Sequence, residues 1–364
     1  MGHTTRRIVR AAGVDLHLVD RLPEGPASGP PLLLLHGLCD SHLTWSRVAP
    51  ALSRHRRVLA LDLPGHGLSA RPDASYALAW QASVVGAALD ALELSEVDLV
   101  GHSYGGGVAQ WLLLSHRERV RRLVLVSPGG LGRGVSAELR LASLGLLEHV
   151  GQPFFGVGTR VGLAMAGGHF APDETHEIAW MASRRGTARA ASRTIADVID
   201  LRGQSRHFLD RAREVEDLPP MLLAWGDRDR VLPFADAARA AVHLPGVPLI
   251  RYEGVGHFPH REAAPRFVRD ALGFLDAGDV AAPRLAPSAS VQVGVTLERP
   301  SILRRAWDAL RQGVVRVLGR RAREQTPARI APATEALRQG LTILHRDRDS
   351  EALARVSALS VRRV

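Results

Sequence analysis

Short, mostly apolar blocks recur along the first part of the chain: Leu32-Leu33-Leu34-Leu35, Val58-Leu59-Ala60-Leu61, Val97-Asp98-Leu99-Val100 and Leu123-Val124-Leu125-Val126. A strand wetted on one face alternates apolar with polar residues, whereas one buried on both faces reads as a nearly continuous apolar run. Helical patterns separate these blocks, as in the apolar stretch from Gly106 to Leu114. Strands alternating with helices predict an α/β chain with a mostly parallel sheet covered on both faces. The pattern returns with Met221-Leu222-Leu223-Ala224-Trp225 and Val247-Pro248-Leu249-Ile250-Arg251-Tyr252, and Arg6 to Asp20 reads as an initial hairpin turning at Gly13.

Residues 131–217 interrupt the alternation with a helical but uneven pattern. Leu139, Leu141, Leu144, Leu146, Leu147 and Val150 are dense enough to bury, and Ile195, Val198, Ile199 and Leu201 recur on a later helix. Between them Gly151, Gly156, Gly158, Gly162, Gly167 and Gly168 punctuate a run containing Phe154, Phe155, Val157, Val161, Leu163, Met165 and Phe170. The expectation is a lid roofing an apolar pocket, with Phe154 and Phe155 as pocket residues and ordinary packing as the alternative. Arg185, Arg189 and Arg193 share one helical face, read as solvated in preference to a carboxylate-binding row.

The far end has another composition. Residues 277–300 are rich in alanine, proline and serine and read as a flexible linker, although Val291-Gln292-Val293-Gly294-Val295 could pair as an edge strand. From Ser301 the chain reads as a basic amphipathic helical tail, 301–364, with Leu303, Trp307, Leu310, Val314 and Val317 on one face and Arg304, Arg311 and Arg320 on the other. Residues 277–364 hold sixteen arginines against eight acidic residues, so most of the chain's net charge of +10 belongs to the tail. The expected roles are peripheral contact with an anionic membrane or self-association through 301–323. Scarce aromatics argue against nucleic acid.

Composition narrows the class further. A chain of 364 residues can bury a full α/β core, and its single cysteine precludes an intrachain disulfide. No stretch is long and apolar enough to cross a bilayer, and the polar, basic Met1 to Arg10 is followed by no apolar run. The cytoplasm is therefore the expected location, apart from the membrane contact of the tail. All 47 basic residues are arginine and asparagine is absent, a bias read as that of a GC-rich genome.

The chemistry begins at Gly101-His102-Ser103-Tyr104-Gly105, where an apolar strand meets a helix. Such a turn exposes the serine hydroxyl, and glycines flanking it let strand and helix approach closely. A hydroxyl needs a base and an orienting acid. His257, in the loop after the strand ending at Tyr252, is the candidate base. Asp229, in Gly226-Asp227-Arg228-Asp229, is the favoured acid, with Asp227 as the alternative. His102, His36 and His66 are read as structural, His260 and Glu262 as supports of the His257 loop, and Cys39 as a buried, inert thiol.

On these residues the chain resembles the α/β-hydrolase superfamily, whose triad runs nucleophile, acid, histidine. His36-Gly37 after the first parallel strand and Asp62-Leu63-Pro64-Gly65-His66-Gly67-Leu68-Ser69 add to the likeness, which covers about residues 6 to 276. The resemblance implies a core from 1–130 and 218–276 with 131–217 as an inserted helical cap. It also implies an oxyanion hole from the backbone N–H groups of Leu38 and Tyr104. The expected activity is hydrolysis of a small-molecule carboxylic ester or thioester with an apolar acyl group through Ser103, His257 and Asp229, needing no metal and no organic cofactor. Phe258 joins Phe154 and Phe155 as a pocket residue. Acyl transfer or perhydrolysis on the same triad remains open, as does a non-catalytic binding role. Ser127-Pro128-Gly129-Gly130-Leu131-Gly132 is similar to a segment of the hydrolases that cleave meta-ring-fission carbon–carbon bonds. Leu38-Cys39-Asp40-Ser41 departs from their Gly-Pro-rich loop.

Overall fold

The computed structural model describes residues 3–145, 148, 151–166, 170–278, 280, 282 and 283. The readings made for the chain beyond Pro283, and for Leu146, Leu147, Val150, Gly167 and Gly168, lie outside the described residues.

The chain opens on the antiparallel pair β1 (Thr4–Ala11) and β2 (Val14–Arg21). Ala12 and Gly13 join them, both with positive φ, 47° and 79°, the two-residue turn whose twist matches a hairpin. The strands β3 (Leu32–Leu35), β4 (Val58–Leu61), β5 (Val97–His102) and β6 (Val120–Val126) follow, with helices α1 (Leu78–Ala91) and α2 (Tyr104–Ser115) among them. Next come α3 (Ala137–Ala142), α4 (Phe155–Ala166), α5 (Pro172–Ser183) and α6 (Thr187–Val198), then the two-residue strands β7 (Ile199–Asp200) and β8 (Gly203–Gln204). The sheet resumes with β9 (Met221–Gly226) and β10 (Leu249–Tyr252), accompanied by α7 (Phe234–His243) and α8 (Ala264–Leu275).

Eight strands form one sheet in the order β1-β2-β4-β3-β5-β6-β9-β10, parallel from β4 onward. The apolar blocks are its buried middle. Leu33 and Leu35 join the core cluster that holds Val85 and Leu112, while Leu32 and Leu34 face the opposite cluster with Trp45, Phe267 and Phe274. A continuous leucine run therefore serves two cores at once.

The segment between β6 and β9 departs from expectation in detail. Leu141 and Leu144, dense enough in sequence to bury, are exposed. The helical pattern drawn through Ile195 and Leu201 stops at Val198, where Ile199–Asp200 turns back on Gly203–Gln204 as a short ladder and leaves Leu201 outside. Despite its glycines, 155–166 is helical. Arg189 and Arg193 are not simply solvated: Arg193 pairs with Asp73 and Glu148, and Arg189 donates to the Arg71 carbonyl. At the other end of the core, Arg122 holds the carbonyls of Phe274, Leu275, Ala277 and Gly278. No helix among the described residues is long and apolar enough to cross a membrane.

Candidate active site

Ser103 stands between the end of β5 and the first residue of α2, at φ 51° and ψ −117°. A non-glycine residue there is strained by about 1–3 kcal/mol, so its surroundings must hold it. The Ser103 N–H donates to Val126, and its carbonyl accepts from Gly106, Gly107 and Gly129. Neighbouring glycines make room: a Cβ on Gly101 would lie 2.6 Å from the Gly105 carbonyl oxygen, and one on Gly105 would run into the carbonyls of Leu35 and His36. Gly129 belongs to the segment singled out at 127–132, which therefore braces the serine turn. Tyr104, first in α2, carries one of the N–H groups that a helix start leaves without an intrahelical acceptor.

His257 and Asp229 arrive on the loops after β10 and β9. His257 Nδ1 is 2.7 Å from Asp229 Oδ2, and both residues are buried. Asp229 Oδ1 accepts from the backbone of Val231 and Leu232 at 2.8 and 2.9 Å, leaving the carboxylate fully engaged. Asp227 points elsewhere, bound to Arg251 and the Gly254 N–H, with its carboxyl held below the usual range chiefly by the Arg251 hydrogen bond. Glu262 takes the N–H groups on either side of His257, Gly256 at 2.8 Å and Phe258 at 3.1 Å, as its reading as a loop support requires.

His36, His66, His102 and His260 are packed into the structure around the site. His36 Nδ1 donates to the Gly37 carbonyl, and its Nε2 accepts from the Leu63 N–H, an arrangement that needs the neutral ring. Burial lowers the pKa of His36, and takes that of His66 to about 3 beside the Pro64 carbonyl. His102 donates through Nε2 to the His257 carbonyl at 3.0 Å, and burial keeps its ring neutral. His260 lies against Trp45 and His102 and meets Thr44 Oγ1.

The Gly37–Leu38 side is equally close. A Cβ on Gly37 would be 3.3 Å from Ser103 Cβ, and Leu38 follows it on the wall of the same cavity as Ser103 and His257. That cavity measures about 720 Å³. Phe154, Phe155 and Phe258 line it with Leu139, Gly158 and Leu163, so the three aromatics named from sequence share one space. Phe155 is buried and Phe154 largely exposed. Cys39, expected to be buried, is partly exposed and also lines the cavity; desolvation, then Asp40, pushes its thiol up to about 12, which favours the protonated form at neutral pH.

Comparison with known proteins decides the family. The model of the alpha/beta hydrolase fold matches residues 30–148. An uncharacterized protein of Mycobacterium tuberculosis is 35% identical over 286 residues, 75% of this chain and 79% of that protein. A 2-hydroxymuconate semialdehyde hydrolase of Pseudomonas putida is 31% identical over 283 residues, 75% of this chain and 95% of that protein. The chain belongs to the α/β-hydrolase fold family. Among solved structures, a meta-cleavage product hydrolase from Pseudomonas fluorescens superposes with a TM-score of 0.60 at 25% identity, covering 74% of this chain and 97% of that one.

Within this hydrolase fold, two features escaped the sequence. Asp62 is a buried hub: it accepts from Nδ1 of His17 and His42 and from the N–H groups of His42 and Leu68. Burial alone would raise its pKa, but the hydrogen bonds from His17 and His42 outweigh that and hold it well below the carboxylate range. The three side chains have ligand atoms within 4.8 Å of one another, and both imidazole Nδ1 atoms are already engaged by the carboxylate. The second feature is Arg261, almost wholly buried beside the His257 loop. The fragment Asp62 to Ser69 was a visible signal for the first; nothing local marked the second.

Proposed function

We propose that this chain is a serine hydrolase acting on carboxylic esters or thioesters with an apolar acyl group. One observation carries the proposal: Ser103, in its strained turn, and His257, whose Nδ1 is engaged by Asp229 at 2.7 Å, face one largely apolar cavity. Ser103 Oγ attacks the acyl carbonyl while His257 Nε2 takes its proton. Asp229 fixes the tautomer with the proton on Nδ1 and stabilises the imidazolium. The N–H groups of Leu38 and Tyr104 receive the oxyanion. His257 then protonates the leaving alcohol or thiol, and a water activated by the same histidine releases the acyl group. The chemistry is complete without a metal or an organic cofactor.

A second reading, carbon–carbon bond hydrolysis, is favoured by the likeness to the 2-hydroxymuconate semialdehyde hydrolase of Pseudomonas putida. The sequence from Leu38 to Ser41 weighs against it. The test is kcat/KM on p-nitrophenyl esters and acyl thioesters of graded length beside a vinylogous diketo acid of the meta-cleavage type. Faster turnover of the esters supports the proposal; faster turnover of the diketo acid reassigns the enzyme. Adding an alcohol or peroxide during ester turnover measures acyl transfer, and preferential trapping by either acceptor would make the chain a transferase or perhydrolase.

A further inference from the structure

Arg261 lies four residues after His257, on the single helical turn Pro259–Glu262, and only 1% of its surface is exposed. Its Nη1 donates to the Leu43 carbonyl at 2.9 Å, the Thr44 carbonyl at 3.1 Å and Ser46 Oγ at 3.1 Å, all on the loop that follows the oxyanion residues. Its Nη2 donates to Glu174 Oε2 at 2.5 Å. Glu174 belongs to α5, between β6 and β9, where it accepts the Ala171 N–H at the helix start and the Ser46 hydroxyl. The guanidinium also covers the Phe170 ring at 3.9 Å. Phe170 meets Phe258 edge-on at 5.5 Å, and Phe258 meets His257 edge-on at 5.3 Å.

An ion pair to a buried guanidinium adds little net stability over an apolar contact, yet separating its partners strands that charge. An apolar seam would tolerate sliding, whereas Arg261, committed to three core acceptors, admits Glu174 in one position only. We propose that the Arg261–Glu174 pair is a latch through which the placement of α5 sets the alignment of His257. Both are positioning residues. Loss of the Glu174 carboxylate leaves the buried Arg261 guanidinium without its charge partner and the adjoining base loop looser. With the pair in place, the aromatic contacts run from Arg261 over Phe170 and through Phe258 to His257. The catalytic part of this proposal rests on His257 acting as the base.

The test uses the full chain with Glu174→Ala and Glu174→Gln. By amide hydrogen exchange, residues 256–262 should exchange about tenfold faster in Glu174→Ala, with β9 unchanged as the control for folding. Labelling of Ser103 by a small alkyl phosphonate, and kcat on an acetate ester, should fall about tenfold with little change in KM. Glu174→Gln keeps an acceptor oxygen and should recover part of both effects. Unchanged exchange at 256–262 in Glu174→Ala overturns the latch. So does a defect confined to KM for long acyl chains with labelling at the wild-type rate, which would reduce the pair to packing. A wild-type protein that does not label overturns the catalytic reading, and the exchange arm then decides the coupling alone.

Discussion

Replacing Asp229 by asparagine changes almost no volume but reverses one hydrogen bond. Asp229 Oδ1 already receives two backbone N–H groups, from Val231 and Leu232, and Oδ2 faces His257 Nδ1. An asparagine must keep its carbonyl oxygen toward the two backbone donors, since an NH₂ there would meet them donor to donor. Its NH₂ then points at His257 Nδ1, which has to be the unprotonated nitrogen. The ring proton moves to Nε2, the atom that should accept the proton of Ser103. A base in the wrong tautomer costs on the order of 10⁴ in kcat, or about 5 kcal/mol of transition-state stabilisation at 1.36 kcal/mol per decade. The assay is steady-state turnover of a p-nitrophenyl ester, with circular dichroism to show that the variant folds. Asp227→Asn, which touches only the exposed Arg251 pair and the Gly254 N–H, should leave turnover near wild type. Turnover of Asp229→Asn within tenfold of wild type, or a larger loss in Asp227→Asn, would refute the tautomer argument.

Burial pushes the Asp40 carboxyl up to about 7, so its ionisation costs more in the folded than in the unfolded chain, where it titrates near 3.8. The penalty is absent below that value, grows toward pH 7 and is constant above; Asp40→Asn should therefore raise Tm at pH 8 and change it little at pH 3.5. Equal changes at both pH values would contradict this. If the acyl group lies in the 720 Å³ cavity, kcat/KM should climb about fourfold per added CH₂ until the space fills, and Phe155→Ala should shift the preferred length more than Phe154→Ala because Phe155 is the buried one. A flat profile from acetate to octanoate removes the acyl group from the cavity. Gly101→Ala should lower the unfolding free energy by about 1–3 kcal/mol through overpacking at the serine turn, and a fully stable variant would contradict that contact. For the tail we propose binding to anionic vesicles that weakens with salt. Co-sedimentation of the full chain against residues 1–283, which retain the Ala277 and Gly278 carbonyls held by Arg122, tests it; equal sedimentation of both would reject it.

The legible parts of this fold are those where local chemistry and burial coincide. Four-residue apolar runs declared a sheet covered on both faces, and the glycines around Ser103 declared its turn because a Cβ at either 101 or 105 has nowhere to go. Glu262 could be read as a support because it lies within a few residues of the amides it binds. The segment between β6 and β9 resisted reading. Exposed Leu141 and Leu144 look in sequence like core leucines, and the end of α6 at Val198 is set by pairing with Gly203 and Gln204. Asp227 and Asp229 lie two residues apart on one loop, and only the opposite directions of their carboxylates separate them. Arg261 and Glu174 are 87 positions apart, each ordinary in its local context, so no periodicity could have joined them.

The most direct test of Ser103 as the nucleophile is intact-mass spectrometry of enzyme quenched during turnover of a slowly deacylating ester, followed by peptide mapping. Wild-type protein should carry one acyl mass on the peptide containing Ser103. Ser103→Ala should carry none, and His257→Ala should acylate roughly three or more orders of magnitude more slowly. An acyl group found on another residue, or turnover at the wild-type rate by Ser103→Ala, would contradict the assignment of Ser103.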